Sequence, residues 1–213
     1  MSSVLGIAFE PERAGLRAPG LDALEVLAVE GWAPEGAALC MARAPWRWWG
    51  AVEAVEQAAS GADAIILFAR SPDPHVALTS STASNAARPG ARDAVGAEWP
   101  GPWLSPGGAP WLQSPLSSER LARAIAFAGA PAQLDTPGAA CVANRCLYWL
   151  MSRRPATPVA LVRLPSPDEG GYSAQQALLA AAVALSFAAA AAEPTLVRTK
   201  DFTLPDQVLA QVG

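Results

Sequence analysis

Short unbroken apolar runs alternate along this chain with longer stretches in which apolar residues recur at helical spacing. Residues 4–9 end at Glu10-Pro11 and predict a buried strand that feeds a loop. A helix is expected over 21–27 and a second strand over 37–42. Trp49, Val52, Val55 and Ala59 then recur at helical intervals, which predicts a helix over 46–59 closed by Gly61. The run Ala64-Ile65-Ile66-Leu67-Phe68 has no polar member, as in a parallel strand covered on both faces. From 71 to 115 the periodicity stops. Proline, glycine, serine and three tryptophans (Trp99, Trp103, Trp111) fill an irregular insert, expected to carry short strands of its own or to form a functional or interfacial loop. Regularity returns at Ser117-Ser118-Glu119, a helix start before Leu121, Ile125 and Phe127, with Gly129 at the end. A short strand at Gln133-Leu134, a helix over 139–151, a buried strand over 158–164 and an alanine-rich helix over 173–192 complete the series. This order predicts a single three-layer α/β/α domain over 1–213, with a largely parallel twisted sheet between its helices.

Composition narrows what such a domain can do. With 52% hydrophobic and 16% charged residues, the 213-residue chain can bury one sizeable core and is not a disordered segment. Its net charge of −4 supplies no basic field for a phosphate backbone, so no nucleic acid is expected as a partner. The alanine run over 177–192 is shorter than the roughly 20 residues that span a bilayer. A buried or amphipathic helix is expected there, and no membrane partner. No secretory pattern is visible at Met1-Ser2-Ser3. Cys40, Cys141 and Cys146 are odd in number and match no metal or redox spacing, so a cytoplasmic setting with no metal and no cofactor is expected. One histidine, His75, and one lysine, Lys200, leave little for a hydrolytic mechanism.

Four colinear segments resemble the type I pyroglutamyl peptidases, cysteine peptidases that remove N-terminal pyroglutamate. Phe9-Glu10-Pro11 resembles the start of that family's Phe-Glu-Pro-Phe-Gly-Gly loop. Ala62-Asp63-Ala64-Ile65-Ile66-Leu67 is similar to the strand before its glutamate loop, with Asn85 at the closing asparagine. Ala128-Gly129-Ala130-Pro131-Ala132, then Asp135-Thr136-Pro137-Gly138-Ala139-Ala140-Cys141-Val142-Ala143-Asn144 and Tyr148, resemble its nucleophile region. Val159-Ala160-Leu161-Val162-Arg163-Leu164-Pro165 resembles its strand ending in His-Val-Pro. The resemblance implies a phosphorylase/hydrolase-like fold, self-association as a dimer or tetramer, and a site formed by a cysteine, a histidine and a glutamate.

That chemistry requires a thiolate to attack the scissile carbonyl, an imidazole to move the proton and a carboxylate to orient the imidazole. At the three implied positions stand Ala143, Arg163 and Ser80, none of which does that work. Arginine stays protonated and is no base. Glu12-Arg13 also replaces the Phe-Gly of the implied pyroglutamyl pocket, for which Phe9, Glu12, Arg70, Cys141 and Asn144 are the candidate lining residues. The expectation is a peptidase-like protein without the peptidase reaction, which binds an unidentified small molecule or peptide. Two alternatives stand beside it. In one, Cys146 or Cys141 is a displaced nucleophile with His75 as base; two helical residues rotate by about 200°, which turns Cys141 away from the site of Ala143 if one helix holds both. In the other, Arg163, with Arg13 and Arg70 on neighbouring loops, binds a small anion. Buried Cys146 as a small hydrophobe, solvated or locally bonded His75, and Ser80-Ser81-Thr82 as loop hydroxyls are the structural readings of these groups. Trp46-Arg47-Trp48-Trp49 is read as a helix start whose rings pack on the core and the insert, leaving some apolar surface for self-contact.

Overall fold

The computed structural model of the chain describes residues 1–88, 90–135 and 141–192. In chain order its elements are β1 (Ser2–Phe9), α1 (Pro19–Val29), β2 (Ala37–Ala44), α2 (Gly50–Ala58), β3 (Ala64–Arg70), β4 (Ala77–Ser80), β5 (Thr82–Ser84), β6 (Trp111–Gln113), α3 (Ser118–Phe127), β7 (Ala132–Leu134), α4 (Val142–Arg153), β8 (Val159–Leu164) and α5 (Ala174–Ala192). The main sheet runs β2-β1-β3-β8-β4-β7. Its first four strands are parallel, whereas β4 pairs antiparallel with β8 and parallel with β7. The reversed strand comes from the segment read as irregular, where four-residue β4 is too short to show periodicity. Strands β5 and β6 of the same segment form a separate antiparallel pair.

Alternation along each strand separates two apolar layers. Val4, Ile66, Phe68, Ala160 and Val162 face the layer containing α1, α3 and α5. Leu5, Ile7, Ile65, Leu67, Val159 and Leu161 face α2, α4 and the insert. Helix α5 packs on β1, β3, α1 and α3 through small residues. By length and composition it could cross a membrane, yet 56% of its apolar window is buried inside the fold. Local chemistry sets the ends of the helices. Pro19 opens α1, where a missing N–H costs nothing, and the Ser117 hydroxyl accepts a bond from the Arg120 N–H at 3.3 Å to cap α3.

Two helix starts differ from the sequence pattern. Helix α2 begins at Gly50, not at residue 46, and Trp46 to Trp49 form the turn before it. Trp46 and Trp48 are nevertheless buried, because the turn folds its rings under the insert. Helix α4 begins at Val142, with Cys141 in extended backbone as its N-cap. The predicted first residues of that helix, 139 and 140, lie outside the described residues, as do 136–138.

Candidate functional site

In an open parallel sheet, ligands bind beyond the carboxyl ends of the strands. Here the adjacent strands β1, β3 and β8 end side by side, and the loops that leave them open on one cleft of about 460 Å³. That size suits a small-molecule ligand. Glu12 and Arg13 follow β1, Arg70, Ser71 and Pro72 end β3 and begin its loop, and Arg163 is the penultimate residue of β8. Trp46, the insert residues Arg88, Gly90, Ala91 and Arg92, and Cys141 complete the wall. A neighbouring hollow of about 320 Å³ shares Glu12, Arg13, Gly90 and Arg92 and adds Asp93, Ala94 and Gly96.

Five of the chain's 15 basic residues therefore line one cleft of a protein whose net charge is −4. Three of them have carboxylate partners: Arg70 pairs with Glu169, Arg92 with Glu98, and Arg163 with Asp135. Arg13 and Arg88 form no ion pair among the described residues.

Arg163 reaches the cleft for a reason of strand geometry. Its neighbours Leu161 and Val159 face the α4 layer, and alternation sends residue 163 the same way, toward the start of α4. Its Nη2 donates to Cys141 Sγ at 3.3 Å. Its Nε lies 3.0 Å from Asp135 Oδ2, an attraction of charges without an aligned hydrogen bond from that N–H. The Cys141 sulfur above all, and then the Asp135 carboxylate, hold the guanidinium in its charged form against the cost of burial. Burial raises the Asp135 carboxyl above its ordinary value, and Arg163 pulls it back only in part. Two buried guanidinium N–H groups at this wall, Nε of Arg70 and Nε of Arg163, have no hydrogen-bond partner. A polar, cationic hollow in which the Arg70 Nε–H is unpaired is suited to a carboxylate or another small oxyanion.

The other residues singled out from the sequence fall elsewhere. Ala143 is fully buried in the first turn of α4, packed in the apolar layer. Ser80 ends β4, opposite Leu161 of β8, and its hydroxyl donates to the Thr82 carbonyl at 2.7 Å. The three positions implied by the resemblance thus lie on adjacent elements, and only Arg163 reaches the cleft wall. Phe9 is buried edge-on against Trp46, with ring centroids 5.5 Å apart. Asn144 is buried and donates to the Ser84 carbonyl at 3.1 Å. Glu12, Arg70 and Cys141 line the cleft. For Cys141 the rotation argument fails, because the residue precedes the helix and does not follow its screw. Cys146 is fully buried and its thiol is pushed far up by desolvation, the state of a core residue. His75 is exposed on its loop, where its backbone N–H donates to Asp73 Oδ1 at 2.8 Å, and it is not on the cleft wall.

Sequence reasoning missed Arg88, Arg92 and Asp135. Arg88 and Arg92 lie in the aperiodic insert, where only the recurrence of basic residues around Gly90 marks them. The insert is held in place by Asn85, whose amide donates to the carbonyls of Ser105 and Gly108 and accepts from the Ser105 N–H at 2.8 Å. Tyr148 of α4 adds a bond from its hydroxyl to the Ala109 carbonyl at 2.8 Å. Replacing Asn85 with alanine leaves these backbone groups unpaired and is expected to cost about 1–2 kcal/mol. Limited proteolysis should then cut within 86–113 before the rest of the chain. An insert as resistant as in the parent protein would show that Asn85 does not hold it.

No protein-family model and no curated protein matches the sequence. Solved structures do. A pyroglutamyl peptidase I from Bacillus amyloliquefaciens superposes with a TM-score of 0.78 at 21% identity, over 89% of this chain and 98% of that one. Pyrrolidone carboxyl peptidase from Thermus thermophilus gives 0.75 at 22% identity, over 88% and 100%. A mutant pyrrolidone carboxyl peptidase from the hyperthermophile Pyrococcus furiosus gives 0.76 at 20% identity, over 88% and 98%. The likeness covers nearly the whole of each chain and establishes the fold, a single α/β domain with a mostly parallel sheet between helices.

Proposed function

We propose that this chain is a pyroglutamyl-peptidase-like protein without the peptidase reaction, and that it binds a small anionic ligand in its arginine-lined cleft. The observation that carries the reading is Arg163. At the position where the resemblance implies a proton-shuttling imidazole, the chain holds a permanently charged guanidinium, fixed beside Asp135 and Cys141. A group that never gives up its proton is no general base, but it is a strong partner for a carboxylate. Alanine at 143 and a hydroxyl already bonded at Ser80 agree with loss of the reaction. Arg13 and Arg88, without carboxylate partners among the described residues, supply further charge at the same cleft.

Purified protein should release no fluorophore from a pyroglutamyl-aminocoumarin substrate. Calorimetry with pyroglutamate and simple mono- and dicarboxylates should give saturable heat that Arg163→Ala abolishes. Heat that persists in that variant would remove Arg163 from the site, and no heat from any carboxylate would sink the anion reading.

A second reading is supported by one observation, the opening of Cys141 onto the cleft: a hydrolase with a displaced nucleophile. It lacks an imidazole base, since the only histidine is not on the cleft wall. Turnover that disappears in Cys141→Ser would establish it in place of the first. Turnover lost in Cys146→Ala would do the same for the buried thiol.

A further inference from the structure

We infer that Cys141 is a covalent capture site for small electrophiles that carry a carboxylate, drawn to the thiol by the arginines of the cleft. This rests on the reading of the cleft as an anion site and adds a bond-forming group to it. Cys141 occupies the N-cap of α4, but its sulfur makes no capping hydrogen bond and is not committed to the helix. It lies on the wall of the 460 Å³ cleft with Arg13, Arg70 and Arg88, and it accepts a hydrogen bond from Arg163 at 3.3 Å. The other two thiols lack this combination. Cys146 is enclosed in the core. Cys40 is exposed on the edge strand β2, and its one polar neighbour among the described residues is the Ser3 hydroxyl at 4.0 Å.

Alkylation takes place at sulfur, so a thiol that opens on the cleft is within reach of a reagent held there. A cleft with an excess of one charge also concentrates ligands of the opposite sign, and this wall sets five arginines against Glu12 and the carboxylates that pair with Arg70, Arg92 and Arg163. Only at Cys141 are a cation and an open cleft found together. The step balances without an outside oxidant or reductant. The thiol proton passes to solvent and the sulfur electron pair forms an S–C bond. With a haloacid the halide leaves with the carbon–halogen pair; with a conjugated unsaturated carboxylate, sulfur adds at the β-carbon and a solvent proton at the α-carbon.

The test uses two reagents that differ in charge, iodoacetate and neutral iodoacetamide, on the native full chain at low salt. Cys40, Cys141 and Cys146 fall in separate tryptic peptides, 18–43, 124–145 and 146–153, so mass spectrometry reads each rate separately. The iodoacetate-to-iodoacetamide rate ratio at Cys141 should exceed that at Cys40 by about tenfold, within the range for electrostatic steering. In the double variant Arg13→Gln/Arg88→Gln, whose changes are on exposed side chains, the excess should fall toward the Cys40 value. Equal ratios at the two cysteines, an excess untouched by the double variant, or a native Cys141 that does not react would each overturn the capture site. Calorimetry separates this from the reading beneath it. Heat of carboxylate binding that survives in Cys141→Ser keeps the anion site whatever the labelling shows, and its absence from the parent protein removes both.

Discussion

Replacing Trp48 with alanine is expected to lower the unfolding free energy by about 3–5 kcal/mol, the range for truncating a large buried aromatic ring. Trp48 is fully buried, and its indole N–H donates to the Ala97 carbonyl at 2.9 Å. Its backbone N–H donates to Asp93 Oδ2 at 3.3 Å, while Asp93 Oδ1 accepts from the N–H groups of Val95 and Ala97 at 3.0 and 2.9 Å. The ring lies 5.7 Å from that of Trp99, which in turn carries the Arg145 guanidinium 4.4 Å above it. One side chain thus fastens the outer turn of the insert to the layer built by α2 and α4. The same turn adjoins Arg88 and Arg92 of the cleft wall, so carboxylate affinity should fall together with stability. Trp49 is the control. It is half exposed, and its alanine variant should cost about 1 kcal/mol or less. Chemical denaturation of the two variants measures the difference, and equal losses would mean that Trp48 is not the anchor.

That result would also explain why the tryptophan cluster was hard to assign from the sequence. Trp46 to Trp49 have a composition that suits either an exposed aromatic platform or a helix start packed on the core, and periodicity does not reveal the turn they form in so short a stretch. What decides is the partner, Asp93 and Ala97, far along the chain in the insert. The parallel strands were legible because Ile65 to Phe68 and Val159 to Val162 are apolar on both faces, a demand that burial between two helix layers makes of every residue. Strand β4 was not. Its reversal is fixed by pairing with β8 through Leu78, Thr79 and Ser80, contacts with no signature in so short a run. Arg163 was found because a colinear motif places it near the end of a buried strand. Asp135 was not, since a lone acid before a glycine and alanine stretch looks like a turn residue until Arg163 stands 3.0 Å from it.

Asp135 is where stability and ligand binding should part. Deleting its carboxylate, as Asp135→Ala, leaves the Arg163 guanidinium without its countercharge. Breaking a fully enclosed pair costs about 3–5 kcal/mol. Both side chains here are 18% exposed and Cys141 remains as a partner, so a loss of about 2–3 kcal/mol is expected. Binding should move the opposite way. Asp135 is a tethered carboxylate that occupies the same guanidinium an incoming carboxylate needs, and it places a negative charge beside the cleft. Its removal should tighten carboxylate binding about tenfold, or 1.4 kcal/mol, roughly the worth of one charge-assisted hydrogen bond. Ligand at saturating concentration then restores part of the lost stability, because it binds the folded state alone. Thermal melts of the parent and the variant, each with and without the carboxylate that gives the largest heat, read both effects. A variant that is less stable and also binds no better would show that the pair serves the fold only and that Arg163 does not exchange Asp135 for a ligand.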